Sequence, residues 1–253
     1  MEKPVSILLV AILIAACAMP AEFVFPPDSQ DLIRLSKKPK VRLSVAVLPF
    51  KDMRAKRNSM KTFWICFLPL APYGFFVHER PDTARFFNTI SEFSFDASHD
   101  MAKAVVASLS ESGLFDKVYL SSEGELGSAD LVMYGEVSRT LYRGRTYTYC
   151  VSVAATALWL LGLPVGDSTD TLDFSLVLKD PATGKRIWQF ESQLSKRITQ
   201  GFYYRWGDDV KGYAELMAEA MYDALEGLDH AMAAYPMGLN TSREFVGTED
   251  REP

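Results

Sequence analysis

Residues 44–50 read Ser-Val-Ala-Val-Leu-Pro-Phe, apolar at nearly every position and without polar alternation. Such a run suits a strand buried on both faces, and Pro49 stops it. Working outward along the chain, FSFDASHDMAKAVVASLSESGLF at 93–115 sets Met101, Val105 and Leu109, with Ala102 and Val106, along one helical side. Asp96 or Ser98 can cap that helix and Gly113 marks its stop. FDKVYL at 115–120 and ADLVMYGEV at 129–137 then read as strands. TLDFSLVL at 171–178 alternates Leu172, Phe174, Leu176 and Leu178 with polar or small neighbours. KRIWQFESQL at 185–194 alternates at the same period from Ile187 and Gln189, and the turn chemistry of Asp-Pro-Ala-Thr-Gly between them makes the pair a β-hairpin. At 209–234, Val210, Tyr213, Leu216, Met217, Ala220, Met221, Ala224, Leu225, Leu228 and Met232 keep helical spacing.

The order strand, helix, strand, strand, hairpin, helix predicts an α/β fold, specifically an α+β sandwich: a mixed sheet with two main packed helices, a β-hairpin and two apolar insertions. One domain is expected over 41–235, with a loose polar tail at 236–253. The motifs VAVLPFKD (45–52), SGLF (112–115), ADLVMYGEV (129–137) and LKDPATGKRIWQFES (178–192) resemble the α/β domain shared by the CsgG-like curli-secretion lipoproteins, the LpoB-type penicillin-binding-protein activators and the N-terminal domain of TolB. The resemblance implies an accessory of envelope assembly, transport or wall synthesis or, on the CsgG-like side, a subunit of a secretion pore. Fold alone does not assign function.

Two segments depart from that pattern. TFWICFLPLAPYGFFV at 62–77 and YTYCVSVAATALWLLGLPV at 147–165 are long, aromatic and free of charge. Neither reads as a spanning helix, because Pro69 and Pro72 break the first and Gly162-Leu163-Pro164 ends the second. Three placements fit them. They pack on each other and on the sheet as a second small core; they dip into a membrane with Phe63, Trp64, Tyr73, Phe75, Phe76, Tyr147, Tyr149, Trp159 and Leu160 at the interface; or they contact identical subunits or another envelope protein. Pore-forming hairpins alternate polar and apolar residues, which these segments do not. Both are expected on one side of the domain, near Cys66 and Cys150, with a short helix at about 151–161. Those two cysteines lie in apolar surroundings, either paired or as buried thiols.

The chain begins with a leader. Residues 5–16, VSILLVAILIAA, form an uncharged apolar run ending in small residues just before Cys17. Ile14-Ala15-Ala16-Cys17 resembles the lipobox of bacterial lipoproteins, which implies a signal peptide at 1–16, a diacylglyceryl thioether on Cys17 and a third acyl chain, palmitate, on its amino group. Several chains anchor far more firmly than one. Ala18 implies the outer membrane, facing the periplasm, with the inner membrane as the alternative; a secretory leader cut near Ala18 or Ala21, or an uncleaved anchor, is the competing reading. Residues 17–40, rich in proline and then lysine, are expected to be a flexible tether.

The net charge of −5 comes without a basic stripe, so nucleic acid is not an expected partner. The expected partners are a membrane through the lipid on Cys17, and a second copy or an envelope protein. His78, His99 and His230 are dispersed, and no nucleophile, phosphate-loop, metal or CxxC pattern occurs. The expectation is therefore no catalytic residue, no metal and no cofactor, with an envelope enzyme assembled from residues distant in sequence as the alternative. Asp167, Asp170, Asp173, Asp208 and Asp209 read as a solvated acidic loop rather than a cation site.

Overall fold

The structure is a computed structural model and describes residues 21–27, 32–36, 40–55, 60–63, 70–84, 93–122 and 129–235. In chain order its strands and helices are β1 (Ala21–Glu22), β2 (Val41–Val47), β3 (Lys51–Asp52), β4 (Met60–Phe63), β5 (Tyr73–His78), β6 (Thr83–Ala84), β7 (Phe93–Ser94), α1 (Ala97–Ser112), β8 (Phe115–Leu120), β9 (Leu131–Tyr147), α2 (Ala155–Leu160), β10 (Gly166–Lys179), β11 (Arg186–Gln200) and α3 (Gly212–Ala233). The main sheet runs β11-β10-β9-β2-β8, with β3 and β5 also paired to β9 and β4 paired to β5. β2 is parallel to β8 and β9, whereas β9, β10 and β11 form an antiparallel meander. This is the expected mixed α/β arrangement.

The core lies between the sheet and α1 with α3. Val45 and Val47 of β2, Leu172, Phe174, Leu176 and Leu178 of β10, Met101, Val105 and Leu109 of α1, and Leu216, Met217 and Leu225 of α3 are all buried in one cluster. Each such side chain contributes about 1.5–3 kcal/mol by leaving water. Ala46, between the two valines, is buried as well, so β2 is covered on both faces. α1 starts where Asp96 accepts hydrogen bonds from the N–H groups of Ser98 and His99, and ends at Gly113 with φ of 69°. A Cβ at Gly113 would stand 2.2 Å from the Ser36 carbonyl oxygen, so the position requires glycine twice over.

Four expectations are corrected. First, β9 does not stop near Val137 but continues to Tyr147, and β10 begins at Gly166 opposite it. Asp167, Asp170 and Asp173 therefore sit on a strand and not in a loop. Second, the core-facing phase of β11 is Trp188, Phe190, Ser192 and Leu194, because Phe190 pairs with Leu176 and Leu194 with Leu172; Gln189 is exposed. Third, part of the stretch 17–40 is docked rather than a free tether. Ala21 pairs with Phe93, the Leu35 and Ser36 N–H groups donate to the Ser112 carbonyl, and Phe23, Phe25, Ile33 and Leu35 pack on the core. Apolar residues interleaved along that stretch give it something to bury. Fourth, Cys150 is exposed in a turn and not buried; Cys66 lies outside the described residues.

Candidate contact surface

The upper half of β9 carries both insertions. Tyr73 to His78 of β5 pair antiparallel with Tyr147 to Tyr142, and β4 pairs with β5 on the far side, Phe63 opposite Phe75. The connection preceding β5 touches the turn after β9. The Leu70 N–H donates to the Cys150 carbonyl, and the Thr148 N–H to the Pro72 carbonyl at 3.0 Å. Residues of 62–77 and 147–165 thus meet at one end of the sheet. Beyond that turn, a 3-10 turn at Ser152–Ala154 leads into α2, and Gly162, with φ of 96°, ends the helical stretch.

A third segment joins them. Residues 201–207, Gly-Phe-Tyr-Tyr-Arg-Trp-Gly, follow β11. Phe202 meets Trp159 edge-on, Trp206 packs on Phe202 with centroids 5.0 Å apart, and the Tyr203 hydroxyl donates to the Leu160 carbonyl at 2.8 Å. Nothing in the helical or strand periodicity flagged this run. Its signal was four aromatic residues around one arginine between two glycines.

The expected contact residues divide. Leu160 is 61% exposed and Tyr73 and Phe75 are exposed on the outer side of β5. Trp159 is half-buried and donates from Nε1 to the Tyr147 carbonyl at 3.0 Å. Phe76 is a correction: at 6% exposure it belongs to the core, because β5 alternates and Phe75 takes the outward phase. Burial alternates along β5 although polarity does not, Phe75 and Phe76 both being apolar. Phe63 is placed by its backbone pairing alone, and Cys17 and Trp64 lie outside the described residues. Leu70 and Leu161, neither among the expected contacts, are the most open of the set at 82% and 79% exposure.

The backbone here is unusual. Leu70, Tyr149, Cys150, Ser152 and Arg205 all have φ between 51° and 69°, and among the described residues no other non-glycine residue has positive φ. Left-handed conformations at non-glycine residues are uncommon and gather where function has overruled local preference.

Charge stands just beneath the apolar end. Asp167 receives two hydrogen bonds from Arg145 at 2.8 and 2.7 Å, one from the Tyr147 hydroxyl at 2.7 Å and others from Arg197. Burial pushes the Asp167 carboxyl up, but these donors outweigh it and hold it below its ordinary value. The Tyr147 hydroxyl is raised by burial and by its bond to Asp167. On the opposite face Asp170 is fully buried, with no hydrogen-bond partner among the described residues, against Gly212 at the start of α3. Burial, then the charges of Asp209 and Glu215, push Asp170 well up. Glu215 itself is paired with Lys196 at 2.9 Å, and Asp209 accepts from the Tyr142 hydroxyl at 3.1 Å.

Among the described residues, no group of three His, Cys, Asp or Glu side chains is placed to hold a metal ion, and no helix is long and apolar enough to cross a membrane. His78 is buried and its pKa lowered by burial, while His99 bonds the helix-capping Asp96 at 2.9 Å; the two do not converge. An open groove of about 520 Å³ on the outer sheet face is lined by Arg54, Val77, Glu79, Arg139, Leu141 and Arg143 among others. Its Arg54 is already engaged by Asp52, Asp82 and Thr140. Guanidinium groups and one carboxylate suit an anion more than a proton transfer.

No family model matches the chain, and no curated protein matches it. Similar solved structures include a Xanthomonas campestris protein of the DUF330 family, 8% identical over 85% of this chain and 98% of that one with a TM-score of 0.45. The PelC dodecamer of Paraburkholderia phytofirmans is 13% identical over 79% and 92%, with a TM-score of 0.34. Lipoprotein GNA1162 of Neisseria meningitidis is 14% identical over 73% and 98%, with a TM-score of 0.32. None of these likenesses bears on activity.

Proposed function

We propose that this chain is a non-catalytic accessory lipoprotein of a bacterial envelope, held to the membrane through lipid on Cys17 and working through contacts made by its surface. The observation that carries this reading is the leader VSILLVAILIAA ending directly at Cys17. An uncharged run of that length, closed by small residues and a cysteine, is chemistry for processing and lipidation rather than for spanning. The apolar end built by 70–75, 149–163 and 202–206 adds support, since a soluble domain seldom leaves several large apolar side chains open at one place. Its assigned place is the outer membrane facing the periplasm, following Ala18.

Mass spectrometry of the mature N-terminus tests the reading, and an acylated Cys17 is the expected result. An unmodified N-terminus at Ala18 or beyond overturns it. Crosslinking in native membranes should capture an envelope protein or a second copy; retention of a measurable hydrolytic activity by the purified protein, lost on changing Arg139 and Arg143, would replace the accessory role by an enzyme of the groove.

A further inference from the structure

The apolar end has a chemistry that narrows what it touches. Its most open residues are Leu70, Leu161 and Tyr203, at 82%, 79% and 69% exposure, with Trp159 and Trp206 just behind them. Leucine with tyrosine and tryptophan is the mixture that settles at the boundary between acyl chains and head groups. Segments 62–77 and 147–165 bring no charge. Arg145 and Arg197 below the apolar end share Asp167, and Arg205 at its margin pairs with Asp208, so apolar and aromatic contact rather than charge carries the attraction. Much of the backbone at this end is paired internally: Leu161 to Ala157 and Leu158, Gly162 to Trp159, Leu163 to Leu158, and Val165 to Gln200. A shallow seat in lipid then leaves few peptide groups to satisfy.

The anchor holds the domain close to the bilayer. Ala21 pairs with Phe93, and the Phe93 ring stacks on Tyr213 at 6.2 Å, so the chain is already docked on the domain at Ala21. Cys17 is four residues before Ala21, a reach of about 14 Å at most. A tether that short keeps the domain beside the lipid surface, where its open apolar end can be seated.

We propose that the end formed by the turns at 70–72, 149–163 and 202–206 docks on the bilayer interface, seating Leu70, Leu161 and Tyr203 among the head groups so that the domain stands upright on the membrane. The occupant is the lipid surface itself, not a second protein. This inference rests on the anchored reading above for its geometry, yet the docking surface is a property of the folded domain and is measurable without the acyl chains.

The test uses the mature chain from residue 17 carrying Cys17→Ala, floated with vesicles of phosphatidylethanolamine and phosphatidylglycerol. Expected are co-flotation and quenching of tryptophan fluorescence by acyl chains brominated near the head group. Leu70→Asp with Leu161→Asp should weaken partition by about tenfold or more and remove the quenching, while Tyr222→Asp on the exposed side of α3 should change neither. Should the leucine pair fail to fold, Tyr203→Ser gives the same direction with a smaller change. Absence of quenching, or equal loss from Tyr222→Asp, overturns the docking. Unchanged flotation together with lost self-association in sedimentation assigns the face to a second copy and overturns it too. An N-terminus without acyl groups but with intact quenching would sink the anchor and leave the docking standing.

Discussion

The two halves of β9 solve the same problem differently. From Leu131 to Val137 the strand lies between β2, β3 and β10, and Leu131, Val132, Met133 and Val137 are buried, several of them directly under the helices. From Tyr142 to Tyr147 it lies between β5 and β10, its outward residues Arg143 and Arg145 are charged, and it ends in turns whose leucines and tyrosines face solvent. In the first half apolar residues point inward and stability explains them. In the second half apolar residues point outward at the tip, held by left-handed turns and standing on an ion cluster, and stability does not explain them. Changes in the lower half should cost folding, whereas changes at the tip should cost contacts.

The largest expected effect belongs to the lower half. Leu176→Ala removes a side chain at 1% exposure in the shared core and should cost about 2–5 kcal/mol, read as a lowered urea midpoint at constant slope. A loss under about 1 kcal/mol would mean that the core is loose and would erase the contrast.

Next comes the ion cluster at the foot of the tip. Asp167→Ala leaves Arg145, Arg197 and the Tyr147 hydroxyl without their common acceptor and should cost about 2 kcal/mol. Because the folded carboxyl is held below its ordinary value of 3.8, its stabilisation is complete above that pH and is lost as pH falls through the lower folded value. The variant and the native chain should therefore converge in stability toward strong acid. Parallel pH curves would remove the cluster as the cause.

How much of this was legible follows the same division. The helix at 97–112 with its cap at Asp96 or Ser98 and its Gly113 stop, the strand at 115–120 and the hairpin over 171–178 and 185–194 are legible from local signals, capping chemistry, alternation and a turn, whereas the extension of that hairpin to 166 and 200 is not. The upper half of β9 was missed although Arg143 and Arg145, two apart, already placed charge on one face of a strand. Apolar content obscures it, because 147–165 reads as one uncharged unit while its first residue ends the strand. Phe75 and Phe76 carry the same side chain, and only the phase of β5 separates a surface residue from a core one. The aromatic run at 202–206 joins the tip through contacts distant in sequence, Trp159 with Phe202 and Tyr203 with Leu160, which no local pattern contains.

A smaller effect of opposite sign is expected three residues from Asp167. Asp170 is fully buried without a hydrogen-bond partner among the described residues, and its pKa is pushed well above 3.8 by burial and by the charges of Asp209 and Glu215. A raised folded value means that the native state binds the proton more tightly, so the stabilisation is complete below 3.8 and is lost as pH rises through the folded value. Asp170→Asn keeps the shape without the charge, so it should match the native chain in acid and gain on it as pH rises. Stability measured by urea unfolding across that range checks this, and a variant that matches the native chain in acid but falls below it as pH rises would show that the carboxyl is stabilised ionised.

The smallest expected effect on folding is the one that speaks most directly to the comparison. Leu161 is 79% exposed, caps no helix by its side chain and follows α2, whose last residue Leu160 is also open. Replacing it by aspartate removes little buried apolar area, and no acidic residue of 147–165 stands nearby to repel it. A surface change of that kind ordinarily stays within about 0.5 kcal/mol, so Leu161→Asp should leave the urea midpoint where it was. Aspartate there even favours solubility, because it breaks an open apolar patch. If the midpoint falls by as much as it does for Leu176→Ala, the tip is part of the core in solution and the contrast between the two halves of β9 fails. If the midpoint holds while the chain leaves the membrane more readily, the outward leucine is there for what it touches and not for what it stabilises.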